Sequence, residues 1–433
     1  MKTLILIFAL LISSNAKGQS QKISFISTDI ENFWTAFDRI NKANDTLEQY
    51  RILKEQYIDK GTAGLADLIQ VRNYTPKEYI DAIRNYPNFW KSIRHNTTNV
   101  EKIFPQIRLE LRKLEQLYPA TKPATIYFAI GAFRTNGTVR GSNILIGSEA
   151  ALADSQTKIG ELPLWRQPFY TENNPIENVG PLIVHEYIHT LQNEMVHNLL
   201  SMCLYEGIAE FVSCKATGKP SKVPAIEFGK SHPDDVIELF VHDLFLMRNN
   251  DNWLWGQNNN RLRIRDLGYF IGYEMAERYY DLSPNKSLAI KELIELDYGN
   301  EQQIESLVDR VKLLPKPLAA LHREFEQSRP KVILTDPAVH QNGQKLAPGK
   351  QKITIHFSEP LNGTSTGIDY GPLGKDHFPM IKPERIWSAD KRSWTIEADL
   401  KPNMKYQFLI DNNFRLENGI PLKPLLVEFE TGD

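Results

Sequence analysis

The sequence is poor in cysteine, nearly neutral in charge, and free of long apolar runs after its first residues. Its 433 residues include 51 basic and 53 acidic side chains, which leaves a formal net charge of -2. Because no excess or stripe of positive charge favours phosphate backbones, we expect no nucleic-acid partner. A helix that crosses a bilayer needs about 20 apolar residues, so we expect no transmembrane segment in the mature chain.

The one notable apolar run lies at the N-terminus. A basic start at residues 1–3 precedes an apolar stretch at residues 4–12, and small residues follow through Ala16. This order is typical of a secretory signal peptide. We therefore expect residues 1–18 to be removed and the mature protein to be secreted or periplasmic. No cysteine lies near the expected cleavage site, which argues against a lipoprotein anchor.

The two cysteines, Cys203 and Cys214, flank a predicted helix at residues 204–213. Eleven helical steps would separate their Cα atoms by about 16 Å, whereas a disulfide needs about 7 Å or less. We therefore expect two reduced cysteines in the core. The alternative is a disulfide of the kind common in secreted proteins, which would require a helix break before Cys214.

The N-terminal half of the sequence is dominated by helical periodicity. Apolar residues recur at helical spacing through residues 29–118, and we expect the aromatic side chains there, such as Trp34 and Trp90, to lie in the core. Thr75 and Glu78 have the spacing of a capping box, which predicts a helix start. This region is either an integral lobe or a removable cover.

Beyond residue 120 the pattern becomes mixed. Strands are predicted at residues 124–130 and 143–147, on either side of a turn rich in glycine and asparagine. Helices are predicted at residues 179–200, 204–213, 234–247, 266–280, 286–296 and 301–313. After Pro330 the apolar residues alternate, in runs at 352–357, 393–398 and 405–410, which predicts a small β-sandwich.

A candidate metal motif lies on the apolar helix that follows residue 179. His185 and His189 are four residues apart, so both imidazoles leave the same face of a helix, one turn apart. Two ring nitrogens so placed can bind one Zn²⁺ ion. Glu186, between them, can take a proton from a metal-activated water as general base.

A second pair of polar residues, Glu206 and Glu210, follows on a helix that is otherwise apolar. Their spacing of four places both carboxylates on one face. Glu206 can be the third ligand of a catalytic zinc site, which needs three protein ligands and one open position. Glu210 can accept a hydrogen bond from a ligating histidine and fix its tautomer. Gly207 lets another backbone approach this helix closely.

These residues resemble the motif of the gluzincin metallopeptidases, in which a glutamate in an N-E-G-F-A-like segment follows H-E-x-x-H. Tyr205 stands where many members have asparagine. The resemblance covers roughly residues 120–300 and is closest to bacterial predicted zinc-dependent proteases. It implies one further group that supports the oxyanion. The segment from Gly268 resembles the Y-x-x-G element that supplies this group, which implies Tyr269; Tyr273 and His232 remain alternatives.

Several features bear on substrates. The G-x-M-E-N segment of one aminopeptidase family of this clan is absent, so exopeptidase action is not supported. Residues 143–148 are the candidate edge strand for pairing with an extended peptide. Trp253 and Trp255 lie in a polar loop and either line a cleft or pack at its rim. Residues 330–433 resemble bacterial Ig-like modules, which implies contact with a surface, a glycan or the enzyme domain.

The sequence thus predicts an α+β protein: a mostly helical zincin-like metallopeptidase domain with a small β-sheet at residues 19–328, then an all-β Ig-like sandwich at 329–433. The first contains a helical lobe at 29–118 and a metal-site core at 120–300. The predicted function is a secreted zinc-dependent peptidase acting on peptides or proteins. The alternative is a secreted, non-catalytic binding protein on the same scaffold. Glu186 favours the enzyme, because a structural site has no use for a base.

Overall fold

The computed structural model describes residues 23–255, 260–338 and 345–433. The predicted signal peptide at residues 1–18 lies outside the described residues. The chain forms two compact units. The first comprises the described residues up to Glu194, together with Ile208–Val223 and Ser283–Leu296; the second comprises those of Met195–Gly207, Pro224–Leu282 and Asp297–Asp433. The division falls inside one continuous helix, Leu199–Thr217, which supplies residues to both units.

The N-terminal region is helical, as the periodicity over residues 29–118 predicts. Its helices are α1 (Thr28–Ile40), α2 (Thr46–Leu53), α3 (Ala63–Arg72), α4 (Pro76–Asn85), α5 (Pro87–Thr98) and α6 (Phe104–Leu117). The predicted capping box begins α4: the Glu78 N–H donates to the Thr75 hydroxyl at 3.3 Å, and the Thr75 N–H donates to the Glu78 carboxylate at 2.8 Å. Trp34 and Trp90 are buried in the core, as predicted.

A mixed four-stranded sheet lies beside these helices. Its strands are β1 (Ile23–Ile26), β2 (Ala124–Ala129), β3 (Gly137–Arg140) and β4 (Asn143–Gly147), in the order β1-β2-β4-β3. β1, β2 and β4 are parallel, and β3 pairs antiparallel with β4.

The prediction that residues 143–148 form the edge strand is wrong. β4 is an interior strand with partners on both sides, and β3 is the edge strand. β3 lies within the segment predicted as a turn, because glycine and asparagine mask its short run of strand residues. The chain reverses after Arg140 and returns as β4, so the hairpin places the earlier strand outside.

The helices that follow differ in their bounds from the prediction. They are α7 (Ser148–Ala151), α8 (Gln167–Asn173), α9 (Pro175–His189), α10 (Leu199–Thr217), α11 (Pro224–Ser231), α12 (Pro233–Asp243), α13 (Gly268–Leu282), α14 (Lys286–Ile294), α15 (Glu301–Val311) and α16 (Leu318–Ser328). The helix predicted at 179–200 ends at His189, and a second helix begins at Leu199. Asn198 explains the new start, since its side chain accepts the Ser201 N–H at 2.9 Å as an N-cap would.

The C-terminal region consists of two sheets around one core. Its strands are β5 (Val332–Asp336), β6 (Lys345–Leu346), β7 (Gly349–Phe357), β8 (Ile368–Tyr370), β9 (Met380–Trp387), β10 (Ser393–Leu400), β11 (Lys405–Ile410) and β12 (Leu425–Thr431). The sheet orders are β5-β7-β10-β9 and β6-β12-β11-β8. Alternate residues of both, among them Ile355, Trp394 and Phe408, are buried in the same cluster, as the alternating pattern predicts.

The protein is therefore of the α+β class, as predicted, with helices and several small sheets. Within the described ranges, no helix is both long enough and apolar enough to cross a membrane.

Both cysteines lie on α10 and neither forms a disulfide, as predicted. Cys203 is fully buried in the core, as predicted, whereas Cys214 is partly exposed, which the prediction of two core cysteines missed. Burial raises the pKa of the Cys203 thiol well above its ordinary value, and the nearby charge of Glu206 raises it further. A thiol is nucleophilic only as the thiolate, so Cys203 is inert in the folded chain.

We expect thiol titration without reductant to find two reactive thiols per chain in denaturant. In the native protein Cys203 should react far more slowly than Cys214, because its sulfur is buried and protonated. A Cys203→Ala variant, which keeps Cys214, assigns the two rates. No free thiol in denaturant would contradict the helical arrangement.

Candidate metal centre

The two histidines of the predicted motif lie in the last turns of α9, with His189 as its final residue. The Nε2 atoms of His185 and His189 are 3.0 Å apart, and their rings are nearly perpendicular at 87°. Both side chains are buried. The spacing of four residues therefore brings the two imidazoles together, as predicted.

α9 is one continuous helix although Pro181 lies in its middle. Pro181 has no N–H to donate to the Glu177 carbonyl one turn earlier, and the Lys219 ammonium donates to that oxygen instead, at 3.2 Å. The Pro181 carbonyl accepts the Ser213 hydroxyl at 2.8 Å. These two contacts tie α9 to α10 and to the loop after it, and so align the histidines with α10.

Glu206 of α10 joins the histidines in a group that could hold a metal ion. One ligand atom from each of His185, His189 and Glu206 lies within 4.8 Å of the other two. All three side chains are buried, Glu206 at 5% exposure. Two imidazoles and one carboxylate form the donor set of several catalytic zinc sites.

The outer nitrogens of both histidines are hydrogen-bonded. His185 Nδ1 lies 3.0 Å from Glu210 Oε2, and His189 Nδ1 lies 2.7 Å from Gln192 Oε1. A ring that donates its Nδ1 proton to such an oxygen has its Nε2 atom available to a metal ion. The Ser221 hydroxyl donates to the other oxygen of Glu210 and holds the carboxylate in place.

The two Nε2 atoms lie next to each other inside a buried site. The distance between the Nε2 atoms of His185 and His189 is 3.0 Å. Two nitrogens bound tetrahedrally to zinc at about 2.0–2.1 Å would be about 3.3–3.4 Å apart. The pair thus needs to open by only a few tenths of an ångström, and the residues fit a metal ion.

Glu186 lies against the edge strand. A methyl group added at Gly137 of β3 would stand 2.6 Å from Glu186 Oε1, closer than any ordinary contact. Glu186 is itself buried, at 7% exposure. Glycine at 137 therefore lets the carboxylate and the strand backbone meet directly, next to His185.

Gly207 has the close approach that the sequence predicts, and the backbone it meets belongs to α13. A methyl group at Gly207 would lie 2.2 Å from the Gly272 carbonyl carbon, and one at Gly272 would lie 1.7 Å from the Cys203 oxygen. The two helices therefore cross in backbone contact, one residue from Glu206.

This crossing locates the candidate oxyanion donors. Tyr269 and Tyr273 flank Gly272 on α13, the helix in contact with α10 beside Glu206. Tyr269 is half-buried, and Tyr273 is buried with the Lys230 ammonium 4.8 Å from its ring centroid. His232 is exposed and stacks on Phe228 at 4.4 Å.

The charge of Glu206 affects the pKa of Asp266, in the loop before α13. Burial raises the pKa of Asp266 above its ordinary value, and the Glu206 carboxylate adds to the rise. Asp266 also accepts the Trp255 N–H at 2.9 Å. Trp255 is half-exposed, whereas Trp253 is fully buried and donates to Asp243, so Trp253 is a core residue rather than part of a cleft wall.

Three contact residues of this site were missed by the sequence reasoning. Gln192 follows His189 by three residues, a spacing that could have indicated contact. Ser221 and Gly137 reach Glu210 and Glu186 only through the tertiary fold, and no local pattern indicates either.

No protein-family model matches this chain, and no curated protein matches it. Among solved structures, the S-layer protein rSbsC is similar with a TM-score of 0.18 and 10% identity, over 94% of this chain and 45% of that chain. Surface layer protein SbsC, domains 1-6, is similar with a TM-score of 0.19 and 12% identity, over 66% and 44%. The chain spans less than half of either, and a likeness this low indicates nothing about fold or function.

We expect Glu210→Ala to weaken Zn²⁺ binding by about 10–100-fold, because His185 loses the acceptor that fixes its tautomer. Competition with a chromogenic chelator measures the affinity. Glu227→Ala, which removes an exposed carboxylate on α11, is the matched control and should leave the affinity unchanged. Equal affinities for both variants would contradict a role for Glu210 at the metal.

Proposed function

We propose that this chain is a secreted zinc-dependent peptidase. The observation that carries the proposal is the position of Glu186, a buried carboxylate next to His185 that lies against the edge strand β3. A site that only stabilises the fold has no need of a base beside its ligands. A hydrolytic site needs such a group as a base.

The fold details support the same proposal. We propose a zincin-like domain, in which α9 and α10 present the ligands and a mixed sheet ends in the antiparallel strand β3. For the C-terminal region we propose an Ig-like sandwich of two four-stranded sheets. Its role would be attachment to a surface or a glycan.

Each residue has a part in the proposed reaction. His185, His189 and Glu206 would hold the metal, and Glu210 and Gln192 keep the Nε2 lone pairs available to it. When bound, a zinc ion supplies Lewis acidity that lowers the pKa of water to about 7 and polarises a carbonyl.

Glu186 does the proton chemistry. It accepts the proton of the attacking water and delivers it to the leaving amine. Its buried position keeps bulk water from competing for that proton.

The substrate would be an extended polypeptide. β3 is the edge of its sheet, and an extended peptide can add to such an edge through backbone hydrogen bonds. Because Gly137 of β3 meets Glu186, pairing there delivers a backbone amide to the base. Tyr269 is the proposed oxyanion donor, from the helix that crosses α10 at Gly207.

Glu186→Gln tests the proposed activity. The amide keeps the shape of the side chain but takes up no proton, so cleavage of a peptide library should fall by about 10²–10⁴-fold. Metal content should stay at one zinc per chain, because the ligands are unchanged. Mass spectrometry of the digests and of the native protein measures both.

Glu177→Gln, which alters a carboxylate in the first turn of α9, is the matched control and should cleave like the wild type. A wild-type chain that binds zinc but cleaves nothing would favour the non-catalytic binding protein. Identical cleavage by wild type and Glu186→Gln would exclude the base.

Tyr269→Phe tests the oxyanion donor. Loss of one hydrogen bond made in the transition state should lower kcat by about 10²–10³-fold with little change in KM. Tyr273→Phe should leave kcat near wild type. The reverse pattern would assign the role to Tyr273, and unchanged kcat in both variants would remove α13 from the mechanism.

A further inference from the structure

An exposed apolar pair lies on the polar segment between α7 and α8. Leu164 and Trp165 begin a single 3-10 turn, Leu164–Arg166, and are 83% and 67% exposed. Large apolar side chains that are exposed side by side often mark a surface that binds a partner or a ligand.

Arg166 fixes the pair beside the loop that leads into β3. Its guanidinium lies 4.6 Å from the Trp165 ring centroid and 5.4 Å from that of Phe133. It also donates to the Phe133 carbonyl. Arg166 therefore connects the Trp165 ring to Phe133, which lies four residues before the edge strand begins.

The loop itself is held in a strained conformation. Phe133 has a φ of 65°, which is rare for a bulky aromatic residue. The buried Glu149 carboxylate accepts the Phe133 N–H at 3.0 Å and the Gly131 N–H at 2.9 Å, and the Tyr74 hydroxyl accepts the Arg134 N–H at 3.0 Å. Strain that surrounding contacts maintain is concentrated at functional segments.

The loop joins this surface to the proposed centre. Gly137 follows Phe133 by four positions, a span of at most about 14 Å, and Gly137 meets Glu186. A peptide paired with β3 advances about 3.4 Å per residue. Its residues three to five positions from the reacting amide, about 10–17 Å along the strand, can therefore reach Phe133 and the Trp165 ring that Arg166 connects to it.

We propose that Leu164 and Trp165 determine specificity by binding an aromatic or branched aliphatic side chain of the substrate, three to five residues from the cleaved bond. The inference rests on the proposed peptidase function. An apolar side chain there would cover the exposed faces of both residues and release their water, and the Trp165 ring favours an aromatic partner. Arg166 is engaged with the Phe133 carbonyl and both rings, and the exposed side chains of Leu164 and Trp165 are apolar.

The test is a cleavage-site profile of the wild type and of the double variant Leu164→Ser, Trp165→Ser. The wild type should prefer phenylalanine or leucine to serine at one position three to five residues from the cleaved bond, by about tenfold in kcat/KM. The double variant should lose that preference and keep its kcat/KM on the serine peptide. Leu47→Ser, on α2 and 76% exposed in the native chain, is the matched control.

Binding of the same two peptides to the zinc-loaded Glu186→Gln protein, followed by fluorescence anisotropy, separates this inference from the proposed function. If the wild type cleaves nothing but the apolar peptide binds only when Leu164 and Trp165 are present, the surface is supported and the peptidase is not. If cleavage occurs with the same profile in the double variant, the inference is overturned and the peptidase stands. If the protein neither cleaves the peptides nor binds the apolar peptide selectively, both the inference and the proposed peptidase function are overturned.

Discussion

The proposed site depends on two imidazole nitrogens that lie close together in a buried part of the protein. The Nε2 atoms of His185 and His189 are 3.0 Å apart, and their Nδ1 atoms are hydrogen-bonded to Glu210 and Gln192. Two imidazole nitrogens this close, each on a ring oriented by a hydrogen bond at its other nitrogen, are well placed to bind one metal ion. Glu206, at the same point, adds a negative charge that such a cation would neutralise.

Glycine residues, which have no side chain, allow the helices and the strand around this pair to approach closely. Gly207 and Gly272 let α10 and α13 cross in backbone contact, and Gly137 lets the edge strand lie against Glu186. A single methyl group at any of these positions would meet a neighbouring atom at 2.6 Å or less. Close packing at such crossings tolerates little added volume. The base, the third ligand and the edge strand thus depend on three glycines.

The sequence predicted what depends on local periodicity. Spacing of four residues on a helix identified the histidine pair, and the same spacing identified Glu206 and Glu210. Helical and alternating patterns identified the α+β class. Two predictions failed. The edge strand β3 is only four residues long, within a segment rich in glycine and asparagine. The predicted helix at 179–200 is interrupted, because α9 ends at His189 and a new helix begins after Asn198, whose side chain accepts the Ser201 N–H.

Extended X-ray absorption fine structure at the zinc edge, on the protein loaded with one equivalent of Zn²⁺, tests the central claim most directly. Ligation by His185, His189 and Glu206 predicts nitrogen and oxygen neighbours only, at about 2.0–2.2 Å, with the outer-shell scattering of two imidazoles. Loss of this spectrum in the His189→Ala variant would assign the bound zinc to this site. A sulfur neighbour at about 2.3 Å, or scattering from oxygens without imidazole, would contradict the account.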